Sequence, residues 1–177
     1  VDVYKIQGEM RCRFLVRIED TDTTRCSGAF AKQVFEDLAW LGLTWEKPVR
    51  YQSEHFAEYE SSLQLLRAQS AIYPCFCTRR EAQVAALATR DPDGQRHYSG
   101  ACKNLSSEEA DTRIAGGAPH GWRIDMQNVG TAEASVWGDT VIARRHGSSY
   151  HIAVVTDDAL QGVTHIVRGR DIEAATC

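Results

Sequence analysis

The spacing of apolar positions changes several times along the chain, and each change predicts an element. "RFLVRIED", residues 13 to 20, is apolar and β-branched before turning acidic, as in a buried strand ending in a carboxylate-bearing loop. "TDTTRCSG" supplies turn and cap residues, and then Phe30, Val34, Leu38 and Leu41 recur at spacings of three and four. That spacing predicts an amphipathic helix closed by Gly42. "LTWEKPVRYQS" predicts a return to the sheet, with Ser53 placed to cap a second helix whose face carries Phe56, Tyr59, Leu63 and Leu66. Strand, helix, extended piece and helix in this order point to an α/β layer fold.

From about residue 72 the texture differs. "YPCFCTRREA" brings two cysteines, a short helix follows in "REAQVAALA", and "TRDPDGQRHYSGAC" is a polar loop rich in turn formers. "LSSEEADTRIAGG" predicts a helix opened by a Ser106–Glu109 capping box and stopped by two glycines. "HGWRIDMQ" and "GDTVIARRHGSSY" predict short antiparallel strands, so residues 72 to 147 read as an insertion. The α/β texture then returns. Residues 151 to 155 predict a buried strand, Asp157 and Asp158 a helical turn through Gly162, and "VTHIVRG" a further strand with Arg168 at its C-terminal end.

Composition narrows this picture. The 177 residues are 43% hydrophobic and 25% charged, the balance of a globular protein. No run of eighteen apolar residues is present to form a membrane-spanning helix. The opening "VDVYKIQGEMRC" lacks an apolar leader core and an initiating Met, and "GRDIEAATC" closes without a cap, so an incomplete chain is expected. A net charge of −4 gives no global attraction for nucleic acid, which leaves Arg144–Arg145 and Arg168-Gly-Arg170 as local patches or plain solvated faces. Six cysteines would allow three disulfides, but a chain of this length needs no staples, and a reduced, cytoplasmic setting is expected.

Cys75 and Cys77 are two apart, so on an extended segment both thiols face the same way, with Cα atoms roughly 6.7 Å apart and side chains parallel. That disfavours a disulfide between them. Two thiolates on zinc need to be only about 3.8 Å apart across a tetrahedral corner, which a bent Cys-x-Cys turn can deliver. Cys102 offers a third sulfur, and His97 or Tyr98 a fourth donor. Histidine is the commoner ligand and stands ahead on chemistry alone. Three unrelated reduced cysteines remain the competing reading. In "RIEDTD" three carboxylates crowd a strand end, where α/β folds bind ligands, and Glu19 or Asp22 can hold an ammonium group. An acidic helix-capping loop paired with Arg25 is the plainer alternative. Tyr150 and Arg168 each flank a predicted strand. An arginine there can clamp a carboxylate, so Glu19 with Arg168 suits an amino acid, or simply a salt bridge.

"FLVRIEDTD", "DLAWLGLTWE", "YPCFCTRRE", "YSGAC" and "YHIAVVTDDALQGVTHIVRGRD", in this order, resemble the glutamyl-tRNA synthetase group of class I aminoacyl-tRNA synthetases over about residues 13 to 176. The Cys-x-Cys…Tyr-x-x-x-Cys pattern favours its glutamyl-Q branch. The resemblance implies a Rossmann-type core with a zinc-bearing insertion, arranged as residues 1–71, 72–147 and 148–177. It implies activation of L-glutamate by ATP with Mg²⁺, without tRNA, then transfer to the queuosine base of tRNA(Asp) by a monomeric enzyme. In such a reaction the glutamate carboxylate attacks the α-phosphorus, and positioning with charge stabilisation carries the rate. Carried over by position, Glu19, Tyr150 and Arg168 are the glutamate-binding residues. The Zn²⁺ ligands so implied are Cys75, Cys77, Tyr98 and Cys102, which reverses the preference for His97. No catalytic residue is assigned and the ATP-binding residues are unknown, because nothing like the family's "HIGH" signature stands before Phe14 and the chain stops short of a "KMSKS"-like loop. A discriminating glutamyl-tRNA synthetase fragment and a non-catalytic zinc-bearing module that binds amino acid or tRNA are the alternatives.

Overall fold

A computed structural model describes residues 13–22, 26–92, 94–144 and 147–166, without the side chains of residues 133, 147 and 148. Arg25, Arg145, Arg168 and Arg170 lie outside the described residues. The chain divides between Phe56 and Ala57 into two units.

In the first unit, β1 (Arg17–Ile18) pairs in parallel with β2 (Arg50–Tyr51), in the register Arg17↔Arg50 and Ile18↔Tyr51. A parallel pair needs a crossover, and α1 (Gly28–Trp40) supplies it. The ladder is shorter than the predicted strand over residues 13 to 20. Upstream the chain is held otherwise, by Glu46 N–H donating to the Phe14 carbonyl at 3.0 Å and by an Arg13–Glu46 ion pair at 2.6 Å. The apolar face of α1 is also turned from the predicted stripe: Phe30, Val34 and Leu41 are exposed, whereas Ala31 is buried and Phe35 and Leu38 are half-buried. Phe35 stacks on Trp45 with ring centroids 5.5 Å apart, and this contact sets the rotation. Gly42, at φ 75°, follows the helix as expected. Ser53 does not cap the next helix. Its N–H and hydroxyl both donate to the Asp20 carboxylate, at 2.8 and 2.7 Å, tying the end of β1 to the 3₁₀ turn Gln52–Glu54.

The second unit is built on a four-stranded antiparallel sheet in the order β3 (Ile72–Cys75), β4 (Gly121–Ile124), β5 (Val141–Arg144), β6 (Gly147–Ser148). Pro74 stands on an edge strand, where its missing N–H breaks no ladder bond. One core binds α2 (Phe56–Ala68), through Tyr59 and Leu63, to Ile72 of β3, Ile142 and Ala143 of β5, and Ile152 and Ala153 of α7 (Tyr150–Gln161). Between the strands lie α3 (Arg79–Val84), α4 (Ser107–Ala115), α5 (Met126–Val129) and α6 (Ala132–Ser135). The Ser106–Glu109 capping box is present, and a second one, Thr78–Glu81, opens α3.

The segment at 151 to 155 is a helix, which corrects the predicted strand. Ile152, Ala153, Val154 and Asp157 are buried while Val155 is 68% exposed, a periodicity of turns rather than alternation. The β-branched run misled, but its length between Ser149 and the left-handed Gly162 suits a helix of three turns. Asp157, expected in a terminal turn, lies inside α7, and the buried Tyr59 hydroxyl lies 3.1 and 3.0 Å from its carboxylate oxygens. Residues 163 to 166 form no strand.

Gly121 pairs with Cys75, and a Cβ there would stand 2.9 Å from the Ala143 carbonyl oxygen of the next strand. Gly121→Ala is therefore expected to destabilise this unit by about 1–3 kcal/mol, as overpacking does, measured by chemical denaturation against the parent chain.

Candidate functional site

Strand pairing decides where the chemistry lies. The register Ile72↔Ile124, Tyr73↔Arg123, Pro74↔Trp122 and Cys75↔Gly121 sorts residues by face. Ile72, Trp122 and Ile124 pack into the core, so Tyr73, Cys75 and Arg123 belong to the opposite face. Cys77 follows β3 by two residues, and the Thr78 capping box holds the chain immediately after it. Tyr98 and Cys102 come from the loop before α4, where Gly100 takes φ 78° and Lys103 N–H closes a turn onto its carbonyl at 2.8 Å.

These pieces bring four donors together. The sulfurs of Cys75, Cys77 and Cys102 lie within 4.8 Å of one another. Cys77 Sγ is 3.5 Å from Cys102 Sγ, and the Tyr98 hydroxyl is 3.4 Å from Cys75 Sγ and 3.2 Å from Cys77 Sγ. The backbone N–H of Phe76 donates to Cys102 Sγ at 3.3 Å, and that of Cys102 to the Tyr98 oxygen at 3.1 Å. His97 points elsewhere: its Nε2 lies 2.9 Å from the Val136 carbonyl, and its ring fills the space beside Gly138.

The thiols and phenol perturb one another. Burial pushes the Cys77 thiol up to about 11, with the Tyr98 hydrogen bond opposing. Burial, then bonding to Cys102, Cys75 and Cys77, drives the Tyr98 phenol well above its ordinary value. Cys102 moves the other way. Burial would raise it, but the Tyr98 hydroxyl, the Phe76 N–H and the other thiols outweigh that and hold it below the usual thiol value. The hydrogen-bond donors around Cys102 thus favour its thiolate more than burial opposes it.

Sequence reasoning passed over the groups that brace this cluster. Arg123 lies over the Tyr98 ring, its guanidinium carbon 3.9 Å from the centroid. Asp139 ties the surroundings together: its carboxylate accepts from Tyr73 at 2.8 Å, Lys103 at 3.3 Å and Met126 N–H at 3.0 Å, and its carbonyl accepts from Arg123 at 2.7 Å. The alternation of "GWRI" held a signal for Arg123, since Trp122 and Ile124 claim the core face. Nothing local marked Asp139. Beside the cluster opens a cleft of about 960 Å³, lined by Arg79, Arg90, Arg96, Arg123 and Arg144 against two aspartates, a balance that favours an anion.

The remaining predicted residues have surroundings of their own. Glu19, just after β1, pairs with Arg17 at 3.5 Å and is 41% exposed. Tyr150 opens α7, half-exposed, with its ring edge-on to His151. Arg168 lies outside the described residues.

This mixed arrangement of helices and strands is similar to that of solved glutamate–tRNA ligases. The synthetase of Elizabethkingia anophelis superposes with a TM-score of 0.73 at 20% identity, over 93% of this chain and 39% of that one. The glutamate–tRNA ligase of Elizabethkingia meningosepticum, solved in complex with its amino acid, gives 0.72 at 20% identity, over 92% and 38%. The fold is therefore class I glutamate–tRNA synthetase-like. Residues 3–176 match the family described as tRNA synthetases class I (E and Q), catalytic domain, and the chain belongs to that family. Among named relatives, the glutamyl-Q tRNA(Asp) synthetase of Rhodobacter capsulatus is 38% identical over 93% of this chain and 67% of its own length. That of Nocardia farcinica is 40% identical over 93% and 54%, and the glutamate–tRNA ligase of Aquifex aeolicus 36% identical over 89% and 36%. The chain thus spans between about a third and two thirds of the length of these relatives.

A thiol whose pKa is higher folded than unfolded stabilises the fold fully below the unfolded value and loses that contribution as pH rises through the folded one. For Cys77 the window runs from about 9 to about 11, and Tyr98 acts in the same direction. The lowered Cys102 has delivered its share once its unfolded value is passed. The Tm of the metal-free chain is accordingly expected to fall from pH 9 to pH 11, less steeply in Cys77→Ala. A pH-independent Tm in chelator would contradict this.

Proposed function

We propose that this chain carries the glutamate-recognition and zinc-bearing parts of a ligase that activates L-glutamate with ATP and transfers it to the queuosine base of tRNA(Asp). The observation carrying this reading is the convergence of Cys75, Cys77, Tyr98 and Cys102. Their pattern is the one that favours the glutamyl-Q branch, and two named relatives of that branch share 38 and 40% identity. The donor set suits zinc. A tetrahedral site separates two thiolates by about 3.8 Å and a thiolate from an oxygen by about 3.5 Å; here Cys77 and Cys102 are 3.5 Å apart, the three sulfurs lie within 4.8 Å, and the phenol oxygen is 3.2–3.4 Å from Cys77 and Cys75. Four protein donors leave no position for substrate, so the metal's role is structural: it would hold β3 and the Tyr98–Cys102 loop together.

In this reading residues 1–71 and 148–177 belong to a Rossmann-type core, and residues 72–147 form the insertion. Glu19 meets the substrate ammonium, and Tyr150 and Arg168 complete the glutamate site. ATP enters with Mg²⁺, which neutralises its triphosphate. The arginine-lined cleft supports an anionic partner such as tRNA. A second reading, a glutamate–tRNA ligase acting on its own tRNA, draws support from relatives of that name at 36% identity.

Two measurements test these assignments. Metal analysis of the purified chain should find about one zinc, and Tyr98→Phe should weaken binding about tenfold or more, while His97→Ala leaves it unchanged. Metal below about a tenth of an equivalent would remove the claim. In the complete reading frame carrying this chain, labelled glutamate should become attached to tRNA(Asp) bearing queuosine and not to the same tRNA without it. Charging of tRNA(Glu) instead would establish the second reading.

A further inference from the structure

We propose that Arg123 is a positioning residue for the metal site, holding Tyr98 as its oxygen ligand and compensating the negative charge of the filled site. The inference rests on the zinc reading above and goes beyond it, because Arg123 donates nothing to the metal.

The geometry begins in the sheet. Arg123 is paired with Tyr73, two residues before Cys75, and shares the cluster face of β4 with Gly121. Its guanidinium carbon sits 3.9 Å from the centroid of the Tyr98 ring, close enough for face-on stacking. One Nη donates to the Asp139 carbonyl at 2.7 Å, and Nε is buried with no hydrogen-bond partner. Among the described residues no carboxylate forms an ion pair with it. The side chain is therefore held by one backbone carbonyl and one aromatic face, and its charge meets no carboxylate in an ion pair among the described residues.

That arrangement has a use once a metal is bound. Tyrosine is an uncommon zinc ligand, and its ring can swing about two torsions, so an oxygen ligand needs its ring plane held. The guanidinium lies over that ring. Three thiolates and a phenolate around Zn²⁺ leave a net charge of −2, and a cation stacked over the ring of one ligand offsets part of it in a half-buried setting. Asp139 links this support to the other ligands. It accepts from Tyr73 on β3, and from Lys103, the neighbour of Cys102. The brace thus reaches both chain segments that supply thiols.

The test is a double-mutant cycle on zinc affinity, read by competition with a chromophoric chelator. Arg123→Met, similar in reach but uncharged and without a plane, should weaken zinc binding about tenfold or more, as loss of an outer-shell partner does. Arg123→Lys, which keeps the charge, should recover part of that loss. In the Tyr98→Phe background, Arg123→Met should cost less than about threefold further, because the ligand it positions is gone. The visible spectrum of the cobalt-loaded Arg123→Met chain should shift toward that of cobalt-loaded Tyr98→Phe. Equal losses in the two backgrounds, or an unshifted cobalt spectrum, would overturn the role of Arg123 while leaving the metal site standing. Failure of the unsubstituted chain to bind zinc would instead overturn the metal reading. Should Arg123→Met not fold, Arg123→Lys in the same two backgrounds decides: a loss confined to the Tyr98-containing chain supports the proposal, and an equal loss refutes it.

Discussion

The antiparallel pairing of Ile72–Cys75 with Gly121–Ile124 divides the second unit into a packed side and a chemical side. Because side chains alternate across a strand, the register that sends Ile72, Trp122 and Ile124 into the core also sends Tyr73, Cys75 and Arg123 outward together. A slip of one residue would exchange the two sets and bury an arginine in place of a tryptophan. Apolar burial on one face thereby positions thiols on the other. The close pass of Gly121 against the Ala143 carbonyl adds a steric condition to the same register.

Around the cluster, polar groups are satisfied in a particular order. The backbone N–H groups of Phe76 and Cys102 point at a sulfur and at the phenol oxygen, and the thiols complete a ring of donors and acceptors. Burial acts to raise Cys77, Tyr98 and Cys102 alike. At Cys102 the hydrogen bonds outweigh burial and lower the thiol, whereas Cys77 and Tyr98 stay raised. A divalent cation would relieve this competition, since all the donors could then ionise toward one centre. Outside the ring, Asp139 joins β3, β4, the Cys102 loop and the start of α5 through four hydrogen bonds. The adjoining cleft is lined by five arginines and two aspartates, although the chain as a whole is acidic.

Much of this was legible without coordinates, and the failures have physical causes. The capping box at Ser106, the stop at Gly42 and the apolar face of Tyr59 and Leu63 depend on residues within one or two turns, so local sequence reports them. The strand expected at residues 151 to 155 failed because a short apolar, β-branched run is compatible with both periods. Packing against Ile142 and Ala143, with Asp157 facing Tyr59, selected the helix. The stripe on α1 was read one position away because Trp45, beyond the helix, chose Phe35 as its partner. Ser53 was given to a helix N-terminus, but a carboxylate thirty-three residues earlier, Asp20, claimed its donors.

The sequence by itself determined the donor inventory: two cysteines whose spacing rules against a mutual disulfide, a third cysteine, and a tyrosine four residues before it. It also carried the resemblance that ranked Tyr98 above His97, which chemistry alone would have reversed. Only the tertiary structure decided which way those side chains point. His97 turns to the Val136 carbonyl and Tyr98 to the thiols because strand register and loop closure act over tens of residues. The same is true of Arg123 and Asp139, whose importance lies in which distant ring, carbonyl or hydroxyl they meet. Local spacing encodes which groups a segment offers, whereas their meeting is set by the burial of a core on the far side of the sheet.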